Sequence, residues 1–171
     1  MTDQIAPKAT HPAADEVLLK LEDFLPYRIN VCAHVVSQAL SRIYTDRYNI
    51  GVPEWRILVT LGQFGKMTAK AIGRHSQMHK TKVSRAIALL ERRKLVTRRV
   101  NRADLREVFL SLTSAGQAAY DELTPAAIAF ANELLDTIEP ADRAPLDRAL
   151  RKLTERSAQF AADLANGRAP R

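Results

Sequence analysis

The sequence predicts a mainly helical fold that carries one small β-hairpin. Three observations lead to this fold class. Apolar residues recur at steps of three and four over most of the chain, the period changes to two in one stretch after Lys94, and prolines and glycines separate the periodic segments. The chain has 171 residues, of which 46% are hydrophobic, so it can bury one core, and no change in composition requires a second independent domain.

The first third of the chain predicts a frayed N-terminus over residues 1–14 and then helices over residues 15–48. Within that range, residues 27–48 form a long amphipathic helix. Pro26 either begins this helix or kinks an earlier helical piece over residues 15–24, because proline lacks the donor that an interior turn needs. The apolar face of the long helix consists of Ile29, Ala33, Val36, Leu40 and Ile43.

The middle of the chain predicts a helix, a tight turn and a second helix. Pro53 suits the first turn of a helix that ends near Gly65, and Thr68 is an N-cap for a short helix over residues 69–74. The next helix begins near His79. Its buried face consists of Val83, Ile87 and Leu90.

A two-stranded hairpin follows, because Val96 and Val100, and then Val108, Leu110 and Leu112, alternate with polar neighbours. Residues 101–104 are a charged turn between the two strands.

Two helices complete the prediction. Thr113 caps the first, which extends toward Ile138 with a kink at Pro125, and Pro140 opens the second. In this last helix Leu146, Leu150, Leu153, Phe160 and Leu164 recur at heptad-like spacing. Residues 166–171 are a frayed tail.

Positive charge is concentrated in one part of the chain. Between Lys66 and Glu107 there are thirteen basic and three acidic residues, so this segment carries +10, whereas the whole chain carries +7. Such a block favours a polyanionic partner whose phosphates neutralise it, although a merely solvated basic surface is the alternative. For Arg92, Arg93 and Lys94 a second explanation stays open, because the end of a helix favours positive charge by itself.

A helix-turn-helix followed by a basic hairpin is a winged helix-turn-helix, which places a helix in the major groove of duplex DNA and a narrow tip in the minor groove. Arginine and lysine donate to guanine O6 and N7, whereas serine and threonine reach phosphates or a thymine methyl. The candidate DNA-binding residues are Ser76, Lys80, Thr81, Lys82, Ser84, Arg85, Arg102, Asp104 and Arg106.

Several segments resemble the MarR family of bacterial regulators. The most specific are Asp104-Leu105-Arg106, similar to the family's Asp-x-Arg wing, and the Leu112-Thr113-Ser114-Ala115-Gly116 run that follows it. The others are Glu54-Trp55-Arg56-Ile57-Leu58, Lys80-Thr81-Lys82-Val83-Ser84-Arg85-Ala86 and Leu89-Leu90-Glu91-Arg92-Arg93-Lys94-Leu95-Val96. Together they cover about residues 53–116 in register.

The resemblance implies a homodimer that binds palindromic operator DNA and responds to a small-molecule or redox signal. It implies that residues 53–112 form the DNA-binding lobe, that residues 15–48 and 113–165 form the dimerisation region, and that Arg106 enters the minor groove while Asp104 orients the wing. Apolar stripes on the first and last helices favour dimerisation independently. Repression is commoner than activation in the family, so we expect this protein to be a repressor.

The resemblance favours an aromatic or phenolic acid, or its acyl-CoA thioester, as the effector. Arg28, His34 and Trp55 would supply a cation, a hydrogen bond and a ring. Cys32, the only cysteine, fits a reducing cytoplasm and raises a redox-sensing alternative; packing is the favoured role. No motif indicates a cofactor, a metal site or an enzyme, and a non-specific architectural DNA-binding protein is the remaining alternative function.

Overall fold

The computed structural model describes residues 18–100 and 107–168. Their elements, in chain order, are α1 Leu25–Tyr48, α2 Val52–Phe64, β1 Met67–Thr68, α3 Ala69–Ser76, α4 Lys80–Arg92, β2 Val96–Val100, β3 Val108–Leu112, α5 Ser114–Asp136 and α6 Pro140–Ala165. The mainly helical fold with a winged helix-turn-helix is confirmed. The chain divides into two units between Ala39 and Leu40, inside α1.

The first unit corrects one prediction. Among its described residues, 18–24 are not helical; residues 21–23 form a turn, closed by bonds from the Asp23 and Phe24 amides to the Lys20 and Leu21 carbonyls. Helix α1 begins at Leu25, which puts Pro26 in its first turn, where a missing N–H costs nothing. Pro26 therefore begins the long helix. The rest of the earlier piece, residues 15–17, lies outside the described residues.

In the second unit, side chains fix where the short helices begin. The Thr68 hydroxyl accepts the Ala71 amide at 3.2 Å, as expected of the N-cap of α3. His79 caps α4 through Nδ1, which accepts the Thr81 amide at 3.4 Å, and Thr113 caps α5 by accepting the Gly116 amide at 3.0 Å. The helix-turn-helix is therefore specified by local residues at each end.

The sheet contains a strand that the sequence did not reveal. Strands β2 and β3 form the predicted hairpin, in a register that pairs Val96 with Leu112 and Val100 with Val108. Strand β1 adds to the other edge of β3, giving the order β1-β3-β2. It has only two residues, so it shows no period of its own and exists through its pairing with residues more than 40 positions away.

The core lies between α2, α3, α4, the sheet and the adjoining parts of α1 and α5. Its fully buried side chains include Ile57, Leu58, Ile72, Leu90 and Leu123. Tyr44 and Trp55 stack in this core with ring centroids 5.0 Å apart. Among the described residues, no helix has both the length and the apolar character needed to cross a membrane.

The last helix differs from this core. Helix α5 continues through Pro125 and ends at Asp136, and the predicted kink at Pro125 stays a prediction. Pro140 lies in the first turn of α6, as predicted. None of the residues of α6 is buried. The four leucines of its apolar stripe are therefore exposed within one chain, and Phe160 is partly covered, with the Arg156 guanidinium over its ring.

Candidate nucleic-acid interface

Helix α4 has an apolar face, which packs against the core, and an opposite polar face, which is exposed. Val83, Ala86, Ile87 and Leu90 are buried against the core. The opposite face carries five of the predicted DNA-binding side chains, and all five are exposed: Lys80, Thr81, Lys82, Ser84 and Arg85. A helix held in this way presents exposed polar side chains that can enter a groove.

The turn between α3 and α4 is made by a residue in the left-handed region. Gln77 has φ of 52°, and its amide bonds the Gly73 carbonyl. The next amide, that of Met78, bonds the same carbonyl at 3.1 Å. These bonds end α3 abruptly and allow α4 to begin three residues later, which produces the tight turn of a helix-turn-helix.

Ser76 departs from the prediction that it binds DNA. It is buried in the last turn of α3, and its hydroxyl donates to the Ile72 carbonyl at 2.7 Å. The Ser76 carbonyl accepts a bond from the Arg56 guanidinium at 3.4 Å. Because its polar groups are used inside the lobe, Ser76 supports the turn, and we leave it out of the DNA-contacting set.

A cavity of about 680 Å³ lies between α3, α4 and the hairpin. Apolar side chains line its interior: Met78, Val83, Ile87, Val108 and Leu110. Four cations also line it: Lys70, Arg74, Lys80 and Arg98. Of these, only Lys80 was singled out from the sequence; the other three belong to the basic segment, but only the fold shows that they surround one concave surface.

One basic residue of the hairpin is tied to the recognition helix. Arg98 on β2 pairs with Glu91 near the end of α4, with 2.6 Å between Nε and Oε1. The pair is partly exposed, so it contributes little to stability, but it fixes where this guanidinium lies. Arg102, Asp104 and Arg106, predicted for the wing tip, lie outside the described residues, and their roles stay predictions.

The three predicted ligand residues fall in different settings. Arg28 and His34 are exposed on α1 within the first unit. Trp55 is 7% exposed and belongs to the core, where one face of its ring is covered by Tyr44. Another part of Trp55 lines a cleft of about 260 Å³ between α2 and α5, together with Val59, Tyr120 and Ile128. Cys32 is exposed on α1.

Comparisons with known proteins agree with this geometry. The model of the MarR family matches residues 48–107, which is the region that contains α2, the two helices of the helix-turn-helix and the first wing strand. The lobe that carries α4 is therefore similar to the MarR family over these residues. A solved MarR/EmrR family transcriptional regulator from Acinetobacter sp. ADP1 is 28% identical, with a TM-score of 0.76 over 82% of this chain and 99% of that one.

Two further solved structures share the fold. The Staphylococcus aureus protein MepR, solved in complex with DNA, is 21% identical, with a TM-score of 0.70 over 77% of this chain and 97% of that one. Bordetella bronchiseptica BpsR, described with 6-hydroxynicotinic acid as a regulator of its DNA binding, is 20% identical, with a TM-score of 0.72 over 80% and 97%. No curated protein sequence matches the chain.

Proposed function

We propose that this protein is a sequence-specific DNA-binding transcriptional regulator that reads duplex DNA with α4. The observation that carries the proposal is the division of α4 into a buried apolar face and five exposed polar side chains. Arg85 is the side chain we assign to a guanine in the major groove, because a guanidinium matches O6 and N7 together. Thr81 and Ser84 suit phosphate or thymine-methyl contacts.

The lining of the neighbouring cavity supports DNA as the partner. Lys70 and Arg74 add positive charge beside the polar face of α4, whereas Arg98 is ion-paired with Glu91. Cations next to a groove-reading helix bind the phosphates that flank the groove and release counterions. They set the affinity and the register on the duplex, whereas α4 sets the sequence preference.

We propose that the protein binds as a homodimer on a palindromic operator. The support is apolar surface that one chain leaves uncovered. On α1, Ile29, Val31 and Val35 are 39–58% exposed, and on α6 the stripe from Leu146 to Leu164 is open. Soluble proteins seldom leave so much apolar surface in water, and a two-fold dimer matches a two-fold operator.

We propose repression that is relieved by an aromatic or phenolic acid, or by its acyl-CoA thioester. An apolar cavity with basic residues at its edge suits an anion with an apolar body, and this cavity borders the DNA-reading face. The cleft beside Trp55 is a second place for a ring. An effector of this kind must bind the DNA-free protein more tightly than the DNA-bound protein, since equal affinity would shift nothing.

The decisive experiment for DNA reading is selection from a pool of random duplexes, followed by binding assays at one stated salt concentration. We expect a palindrome with half-sites about 10 base pairs apart, bound at least about 10³-fold more tightly than unrelated duplex. Similar affinity for every duplex would favour the architectural alternative.

The effector proposal has its own test. Operator affinity is measured with a panel of phenolic acids and their thioesters, and the affinity of any active compound is then measured with and without operator. Thermodynamic linkage requires the compound to weaken operator binding by the same factor by which the operator weakens binding of the compound. The redox alternative predicts release by peroxide that disappears in Cys32→Ser, with no response to the panel.

A further inference from the structure

Arg93 belongs to the basic segment, yet its guanidinium is used inside the protein. It caps the C-terminus of α4 and is half-buried. One of its terminal nitrogens donates to the backbone carbonyl of Tyr48, which lies 45 positions earlier in the chain. The end of the recognition helix is therefore bonded to the end of α1.

The Tyr48 carbonyl needs such a partner. Tyr48 is the last residue of α1, and the last four carbonyls of a helix have no donor within the helix. Asn49, with φ of 47°, ends the helix immediately afterwards. A cation is favoured at this end of a helix, so Arg93 satisfies both the hydrogen bond and the dipole of α1.

The side chain of Tyr48 makes the second connection. Its hydroxyl donates to Oε2 of Glu122 on α5 at 2.6 Å, and the other oxygen of Glu122 pairs with Arg47. The hydrogen bond to this carboxylate raises the pKa of Tyr48. Through one residue, the C-terminal turn of α1 is bonded to the end of α4 on one side and to α5 on the other.

We propose that Arg93, Tyr48 and Glu122 form a clamp that positions α4 against α1 and α5, and that Arg93 is a positioning residue instead of a phosphate contact. This proposal rests on the proposed function, in which the dimer reads two half-sites. If α1 and α5 carry the dimer contacts, the clamp fixes each recognition helix relative to the dimer and so selects the spacing between half-sites.

The first experiment measures half-site spacing. Operators with one or two base pairs added or removed between half-sites are compared with the cognate operator, for wild type, Arg93→Gln, Tyr48→Phe and Glu122→Gln. The control is Arg92→Gln, which removes an exposed guanidinium from the same turn. We expect the clamp variants to reduce the preference for cognate spacing about 2- to 30-fold, with an unchanged salt slope.

Two results would contradict the clamp. If Arg93→Gln weakens every duplex equally and lowers the salt slope by about one, Arg93 is a phosphate contact and the clamp is wrong. If the variants keep wild-type spacing preference, the clamp is equally wrong. Should Arg93→Gln fail to fold, Tyr48→Phe removes only a hydroxyl and Arg93→Lys keeps a cationic donor; we expect the first to lose spacing preference and the second to retain more of it than Arg93→Gln.

A second measurement needs no DNA, and dilution of the labelled chains with excess unlabelled protein leaves at most one labelled chain in each dimer. Spin labels at positions 84 on α4 and 118 on α5, both exposed, report the distance between the two helices in a Cys32→Ser background. We expect a narrow distance distribution that broadens or shifts in Arg93→Gln and Tyr48→Phe but not in Arg92→Gln. An unchanged distribution would contradict the clamp, whereas failure to find a preferred operator would contradict only the proposed function.

Discussion

The winged helix lobe, from α2 to β3, and the last helix, α6, have similar apolar periodicity but opposite burial. In the lobe, the stripe of α4 is buried: Val83, Ile87 and Leu90 are each at most 2% exposed. In α6, Leu150 is 49% and Leu164 is 59% exposed, although both belong to an equally regular stripe. Periodicity therefore predicts that a face will be apolar, and the remaining fold decides whether the same chain covers it.

This difference indicates two kinds of stability. The lobe forms one buried core together with the adjoining parts of α1 and α5, so the apolar face of α4 is covered within a single chain. The apolar stripe of helix α6 is exposed in one chain, and exposed apolar stripes of this kind mark interfaces with a partner. Changes inside the lobe should alter unfolding of the chain, whereas changes on the stripe of α6 should alter association.

The largest effect is expected at Gly116 in the first turn of α5. A Cβ at this position would lie 1.9 Å from the Leu95 carbonyl oxygen, and backbone cannot yield as a side chain can. We expect Gly116→Ala to lower the free energy of unfolding by about 3 kcal/mol or more, beyond the usual cost of overpacking. Urea denaturation measures this. Ser114→Ala, an exposed change in the same turn, is the control and should cost less than about 0.5 kcal/mol; equal losses would show that the close approach is not the cause.

The next effect concerns the open stripe of α6. Leu150→Gln should weaken dimerisation by about 1.5–3 kcal/mol, the value of burying one leucine, and leave unfolding of the lobe unchanged. Sedimentation over a dilution series measures the monomer–dimer equilibrium of the 19.1 kDa chain. Arg148→Gln, two positions earlier on the opposite side of the helix, should not alter it. If the wild-type protein stayed monomeric at micromolar concentration, the stripe of α6 would not be a dimer interface, and the proposed difference between the lobe and α6 would be wrong.

A smaller effect is expected where α4 ends. Lys94 has φ of 58°, a left-handed conformation that strains any residue with a Cβ. Lys94→Gly should raise the free energy of unfolding by up to about 1 kcal/mol. Lys94→Ala removes the same charge without relieving the strain, so thermal unfolding of the two variants separates the causes. If alanine stabilises as much as glycine, charge repulsion is responsible.

The smallest effect is a dependence of stability on alkaline pH. The bond to Glu122 raises the pKa of Tyr48 above its ordinary value of 10.0, so the folded protein holds this proton more tightly than the unfolded chain. The resulting stability is present below pH 10 and declines as the pH rises through the raised pKa. Tyr48→Phe should make the decline less steep, as followed by urea denaturation between pH 9 and 11. Tyr27→Phe, at an exposed position, is the control and should leave the slope as in wild type.

Local signals account for what the sequence predicted well. Thr68 and Thr113 cap helices as expected because a cap depends on residues three positions apart, and the hairpin follows from alternation alone. The sequence left open whether Pro26 begins the long helix or kinks an earlier helical piece, and the structure has Pro26 in the first turn of α1 with residues 18–24 outside the helix. Strand β1 depends on contacts distant in sequence, which no local pattern shows.

Prediction of the candidate site was limited in the same way, because local patterns do not show contacts between residues distant in sequence. The exposed face of α4 was predictable because burial of the opposite face follows from the period of the helix. Ser76 was predicted to bind DNA, but its hydroxyl bonds the backbone of its own helix. Arg93 was ambiguous because its partner lies on another helix, and only the fold brings the Tyr48 carbonyl to it.

The central claim is that α4 reads base sequence, and Arg85 tests it most directly. Fluorescence anisotropy should compare wild type, Arg85→Ala and the control Arg148→Ala on the selected operator and on an unrelated duplex at one salt concentration. We predict that Arg85→Ala loses about 1–3 kcal/mol on the operator and far less on unrelated duplex, while Arg148→Ala matches wild type on both. Equal losses for Arg85→Ala on both duplexes would contradict base reading by α4 and would make Arg85 a phosphate contact.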